Sequence, residues 1–312
     1  MYENMEMRAV FGQCMESLMR SDENVCMIDA DLAKANGTHG LREKFPGRCF
    51  DVGVAEANMA GVGAGLASYG FTPFISSFTA FASRRICDQV AVSIAYAGLN
   101  VKIVGADPGI AAALNGGTHM SFEDVAIMRS IPRMVVVEPA DSVQLAAALP
   151  VIARHEAPAY LRLFRWVPQP VYGDGYVFDL FRADTIRAGS DVAIAASGIM
   201  VGQALLAAEE LAGRGVSASV VNVHTIKPLD RKTVLAAARC AGCIVTCENH
   251  NIMGGLYSAV SEALAGENPL PVEAVGVRDQ FGEVGPISYL MERYGLTARE
   301  IVRACDKAMS RK

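Results

Sequence analysis

The strongest constraint on how this chain folds is its rhythm: short, continuously apolar runs alternate with longer helix-like stretches from near one end to the other. Apolar strand candidates are Val25–Asp29, Phe74–Ser77, Val101–Gly105 and Met134–Glu138, with a second set at Val192–Ala196, Ser217–Val223, Cys243–Cys247 and Val272–Val277. Helix-like stretches lie between them, among them Ala82–Ala97, Ser142–Arg154, Ala204–Arg214 and Arg231–Ala241. A strand with one wet face alternates apolar and polar residues, whereas a continuous apolar run is buried on both faces. Runs of that kind separated by helices predict an α/β protein with two parallel-sheet domains, each sheet covered by helices on both sides.

The rhythm breaks once. Residues 166–190 contain Pro168, Pro170, Gly173, Gly175 and Gly189 with no long helical period, which is the chemistry of turns and linkers. The expected organisation is a first domain over residues 1–168, a linker over 169–189 and a second domain over 190–312. Near the end, Thr297-Ala-Arg-Glu300 reads as a capping box opening the last helix.

Composition narrows the partners. With 312 residues, 52% of them apolar, the chain has material for two packed cores. A net charge of −5 argues against nucleic acid or an anionic membrane as the main partner, while leaving room for a local basic pocket for one anion. The first residues lack a basic-then-apolar signal pattern and no apolar run is long enough to span a bilayer. The eight cysteines are dispersed, and the expectation is reduced thiols in the cytoplasm. In Cys240-Ala-Gly-Cys243-Ile-Val-Thr-Cys247 no second pair stands at metal-ligand spacing. Cys243 and Cys247 read as small hydrophobes of a buried strand.

Three constellations carry candidate chemistry. The run Asp51-Val-Gly-Val-Ala-Glu56-Ala-Asn-Met-Ala-Gly61-Val-Gly63-Ala-Gly65 opens a helix with an acid in its first turn. Its glycines fall inside the helical period and lack the Gly-x-Gly-x-x-Gly order, so a dinucleotide loop is excluded. Small residues there indicate close packing against another helix or subunit. Taken alone, Glu56 is a helix-terminus acid favoured by the macrodipole. In Phe78-Thr-Ala-Phe81-Ala-Ser-Arg84-Arg85 the two aromatics share a face. They are placed to hold a flat ring, although core packing explains such a pair as readily. In Asn115-Gly-Gly-Thr118-His119-Met-Ser121-Phe-Glu-Asp124, the glycines make a tight turn and Ser121 with Asp124 resembles a helix cap. His119 is then presented on a loop ahead of a helix, where scaffolds carry functional groups; a surface imidazole is the plain alternative.

In order, these segments resemble the C-terminal half of transketolase, a form also encoded as a separate subunit. Phe50-Asp-Val-Gly-Val-Ala-Glu56-Ala-Asn-Met is similar to the family's FD-x-G-I-A-E-x-x-M. Phe78-Thr-Ala-Phe81-Ala-Ser-Arg84-Arg85, followed by Asp88-Gln89, resembles its F-x-x-F-x-x-R/Y segment with the trailing D-Q. Gly117-Thr118-His119, then Ile131-Pro132 through Glu138-Pro139-Ala-Asp141, resembles the T-H-Q stretch and the P-A-D that follows it. His224-Thr-Ile-Lys-Pro-Leu-Asp230, Glu248-Asn-His250 and Phe281-Gly-Glu283 resemble the family's C-terminal domain.

The resemblance implies a pyrimidine-binding domain followed by a transketolase C-terminal domain, with thiamin diphosphate as cofactor. Glu56 is then the catalytic glutamate that bonds to N1′ of the aminopyrimidine and promotes removal of the proton from C2 of the thiazolium. Phe78, Phe81 and Arg84 become cofactor contacts, with Phe81 stacked on the pyrimidine. His119 stands over the substrate oxygens, Arg165 grips the acceptor's terminal phosphate, and Arg8 matches a second such arginine. Three positions depart from the pattern. Asp107 stands where the family has another active-site histidine, Asn115 where it has a substrate-hydroxyl aspartate, and Ala35 near a phosphate-binding serine. These departures imply a branched or modified sugar, or one with another anion.

The family's diphosphate and Mg2+ (or Ca2+) are held through a G-D-G…N motif in an N-terminal section. Gly173-Asp174-Gly175 is a false match, because the next asparagine is Asn222 and the octahedral oxygen shell needs one nearer. No metal ligand is therefore expected here. The expected partner is an N-terminal transketolase section bearing that motif, in an α2β2 heterotetramer, without which this chain is inactive. The nearest rival is the β subunit of a 2-oxoacid dehydrogenase, whose counterpart of Thr118-His119 usually reads His-Ser. A non-catalytic regulatory subunit is a third reading, but it has no need of Glu56, both phenylalanines and His119 together.

Overall fold

The computed structural model describes residues 2–312 and holds two sheets. β1 (Val25–Asp29), β2 (Cys49–Asp51), β3 (Thr72–Phe78), β4 (Lys102–Ala106), β5 (Val135–Val137) and β6 (Ala159–Leu163) run parallel in the first. β7 (Asp184–Arg187), β8 (Val192–Ala196) and β9 (Ala218–Asn222) begin the second, with β7 antiparallel. The next strand, β10 (Thr225–Lys227), returns to the first sheet and pairs antiparallel with β5. β11 (Ile244–Asn251) and β12 (Val272–Val277) complete the second sheet. The sheet orders are β10-β5-β6-β4-β3-β1-β2 and β12-β11-β8-β9-β7.

The helices are α1 (Met7–Ser21), the short α2 (Ala33–Asn36) and α3 (Leu41–Lys44), α4 (Glu56–Ser68), α5 (Asp124–Ser130) and α6 (Ser142–Arg154) in the first half. The second half has α7 (Met200–Gly213), α8 (Arg231–Ala241), α9 (Leu256–Glu267), α10 (Ile287–Tyr294) and α11 (Ala298–Met309). Successive strand residues point to opposite faces, so Phe74 and Leu161 pack with α1 and α6 while Ile75 and Tyr160 pack with α4 and α5. In the second half α7 and α11 cover one face and α8 and α9 the other. This is the two-sheet α/β architecture expected from the continuous apolar runs.

Several differences have physical causes. Residues 82–97, expected as one α-helix, wind as two π-helical segments, Phe81–Arg85 and Gln89–Tyr96, a wider turn that recurs beside functional sites. β7 lies inside the segment read as linker, and β10, from the second half, joins the first sheet and covers the edge of β5; a covered edge presents no unpaired backbone. The capping box is half formed: Thr297 accepts from Glu300 N at 3.4 Å, but the Glu300 carboxylate turns to Arg303. Ser121 does not cap α5, whose flanking residue is Glu123. Asp124 is instead committed to Arg162. Asp141 caps α6 through Gln144 N at 2.8 Å, and its second oxygen accepts from Val171 and Tyr172 at 2.8 and 2.7 Å, tying the connecting segment down.

At the junction of the halves lies a fully buried polar knot. Arg162 donates to Asp124 Oδ2 at 2.8 Å, to Glu138 Oε1 at 2.5 Å and to the carbonyl of Asn249 at 3.0 Å. Ser197 donates to the other Glu138 oxygen at 2.7 Å, and Tyr160 to Asp124 at 2.9 Å. Among the described residues no helix is long and apolar enough to cross a membrane.

Candidate active site

In parallel sheets the free backbone groups and the loops that carry chemistry collect at the carboxyl ends of the strands, and the candidate residues gather there. Phe78 ends β3, Asp107 follows β4, Arg165 lies just past β6, and Glu56 opens the helix after β2. Glu56 is only 3% exposed. Its carboxylate is not left bare: Arg85 Nη1 donates to Oε2 at 2.8 Å. The same guanidinium covers Phe81, 4.2 Å from the ring centroid. Phe81 and Phe78 stand 6.3 Å apart, and His119 meets both edge-on at 5.3 and 5.7 Å. The three rings form one aromatic wall. Thr118 Oγ1 and His119 Nδ1 lie 2.9 Å apart, which fixes the imidazole's orientation.

Arg165 closes the other end of the wall, its guanidinium carbon 5.5 Å from the Phe78 centroid. It also pairs with Asp107, Nη2 to Oδ2 at 2.5 Å. Asp107 is buried, with φ 55°; burial pushes its carboxyl up to about 6, against the opposing pull of Arg165 and, more weakly, of Arg8. Arg8 itself holds Glu6 at 2.7 Å. One carboxylate thus sits in the field of two arginines.

Two candidates fall elsewhere. Arg84 pairs with Glu123 at 2.8 Å and lines a separate cavity of 350 Å3 with Met120, Phe122 and Phe281. The arginine that reaches Glu56 is its neighbour Arg85, which the motif does not distinguish from Arg84. Asn115 is exposed at the end of the 3-10 segment Gly109–Asn115, which kinks at Ala113 (φ 46°). A further buried acid had no sequence signal: Asp29 at the end of β1, pushed up to about 7 chiefly by burial, accepts from Thr38 at 2.9 Å. Ala35 lies nearby in α2.

A buried carboxyl group able to share a proton, beside an aromatic wall, fits an aminopyrimidine, whose ring nitrogen accepts a proton and whose face is flat and apolar. No set of three or more His, Cys, Asp or Glu among the described residues is placed to hold a metal. Asp174–Gly175 forms a turn.

The family model for the transketolase pyrimidine-binding domain matches residues 3–166, and that for the transketolase C-terminal domain matches residues 182–301. The chain belongs to the transketolase family. It is similar to a 6-deoxy-6-sulfo-D-fructose transketolase subunit, SqwH, of Clostridium sp. (strain MSTE9), 54% identical over 98% of this chain and 95% of that one. An apulose-4-phosphate transketolase subunit of Phocaeicola vulgatus is 33% identical, covering 95% of each. A solved split-gene transketolase, described as an inactive beta4 tetramer, superimposes with a TM-score of 0.92 at 40% identity, over 99% of both chains. The chain is the C-terminal-section subunit of a split, thiamin-dependent transketolase, an enzyme of ketol transfer.

Proposed function

We propose that this chain, joined to an N-terminal-section subunit, transfers a two-carbon glycolaldehyde unit from a modified, anionic ketose to an aldose. The observation that carries this reading is Glu56 buried beside the aromatic wall, with the paired Arg165 at its far end. Bound thiamin diphosphate supplies the carbon nucleophile that takes up the two-carbon unit. Glu56, itself buried, would share a proton with N1′ of the pyrimidine, and its burial would strengthen that bond. Phe81 packs against the ring face, Phe78 borders it, and His119 donates to or accepts from the substrate oxygens. Arg165, with Arg8 behind it, holds the anionic end, while Asp107 moderates their charge and orients a hydroxyl. Asn115 and Arg84 belong to the rim, as secondary contacts.

Asp107 and Asn115, in place of the family's usual histidine and aspartate, favour a sugar other than the common pentose phosphates. Two relatives are named for 6-deoxy-6-sulfo-D-fructose and apulose 4-phosphate, both anionic sugars, which supports that class. The diphosphate and Mg2+ (or Ca2+) fall to the partner subunit, whose G-D-G…N motif completes each site in an α2β2 assembly in the cytoplasm. That a split-gene structural relative is described as an inactive beta4 tetramer supports the division of labour. The 2-oxoacid dehydrogenase reading is weaker because Thr118-His119 departs from its usual pair.

The test is to co-purify the partner and screen sulfonated and phosphorylated ketoses against aldoses. Glu56→Gln should lower turnover about 10²- to 10⁴-fold, the usual worth of a positioned proton-transfer group, with assembly intact. Wild-type turnover in that variant would refute the role of Glu56. Equal or better turnover of xylulose 5-phosphate with ribose 5-phosphate would refute the modified-sugar class.

A further inference from the structure

The second half carries none of the residues assigned above, yet it grips the loop that does. Asn249 in β11 is completely buried, and its side chain reaches across to residues 108–110. Its Nδ2 donates to the carbonyl of Pro108 at 2.8 Å, and its Oδ1 accepts from Ile110 N at 3.0 Å. Gly109 between them has φ 56°, and a Cβ there would lie 2.2 Å from Asn249 Oδ1, so the close approach requires glycine. On the other side of Asp107 the backbone is held as well: Asp107 N donates to Leu163 O at 2.7 Å. The far end of the loop is clasped by the second half too, since a Cβ on Gly117 would meet Gly282 O at 2.1 Å.

Asp107 occupies the left-handed region just before a proline, where backbone freedom is already narrow. A non-glycine residue persists there only when its surroundings determine it. We propose that Asn249 is a positioning residue of the active site. By satisfying both backbone groups that flank Gly109, it sets residues 107–119 so that Asp107 meets Arg165 and His119 closes the aromatic wall. The inference rests on the reading of Asp107 and His119 as site residues.

Hydrogen exchange on the full chain and kinetics of the assembled enzyme test it together. In Asn249→Ala the Ile110 amide and its neighbours in the loop should exchange at least tenfold faster. The kcat/KM per assembled enzyme should fall at least tenfold, with yield of assembly unchanged. Asn249→Asp keeps the acceptor for Ile110 but loses the donor to Pro108; it should retain Ile110 protection and fall between the two. Loop exchange unchanged in Asn249→Ala overturns the proposal, and so does a loosened loop with wild-type kcat/KM. Failure of the transketolase reading looks different: no ketose is turned over by the wild-type assembly, while the exchange effect of Asn249→Ala persists.

Discussion

Arg85 occupies both groups proposed above to hold an aminopyrimidine: it donates to Glu56 Oε2 at 2.8 Å and lies over the face of Phe81 at 4.2 Å. The guanidinium is flat and cationic, so one group serves as donor to the carboxylate and as lid for the ring. A pyrimidine seated on the same Glu56 oxygen and the same face of Phe81 would have to displace it. Arg85→Ala in the assembled enzyme should therefore bind thiamin diphosphate more tightly, read as a lower Kd by calorimetry; weaker binding would mean that Arg85 stays on Glu56 in the loaded site. In the free chain the same variant should cost roughly 1–3 kcal/mol by urea unfolding, because it leaves the buried Glu56 carboxylate without its donor.

Asp107 gives the site a pH dependence. Its folded-state pKa, about 6, stands above the ordinary 3.8, so the folded protein holds this proton more tightly than the unfolded chain. That stability is fully present below 3.8 and is lost as pH rises through about 6. Asp107→Asn should keep it throughout, so the variant's urea stability should gain on the wild type above pH 6, by at most about 3 kcal/mol. Binding follows the same titration. Below pH 6 the neutral acid leaves the arginine field to the substrate; above it, the carboxylate competes. With a sulfonated ketose, whose own charge is constant in this range, KM should fall on the order of tenfold between pH 7.5 and 5.5. Asp107→Asn should flatten that profile, and a profile that persists in the variant would assign the titration to another group.

The strands and helices that the sequence reveals best are those that bury themselves without help. β1, β8, β12, α6 and α8 match the expected bounds because their patterns are mainly apolar or amphipathic. β6 escaped because Arg162 interrupts its apolar run, and that arginine is tolerable there through Asp124 and Glu138, distant in the chain. β10 escaped because three residues carry no period. Of the candidate site, the aromatic members and Glu56 stand out in the sequence because they sit within local motifs. Arg85 does not, since the choice between it and Arg84 depends on the winding of a π-helical turn. Nor does Asn249, whose partners lie in the other half.

Arg162 supplies the last prediction. It is wholly buried with two carboxylates, Asp124 and Glu138, also buried, and it bridges them. Burial drives the Glu138 carboxyl up, and the Arg162 charge opposes that. Replacing Arg162 by Met should leave both acids without a countercharge and cost about 3–5 kcal/mol, measured by urea unfolding. Arg162→Lys should recover little, because one ammonium cannot reach Asp124, Glu138 and the Asn249 carbonyl together. The loss comes from stranded charges rather than from a missing attraction. Adding Asp124→Asn and Glu138→Gln to Arg162→Met should therefore restore much of the stability. If the single Met variant loses less than about 1 kcal/mol, or the triple variant is less stable still, the knot is not held by charge compensation.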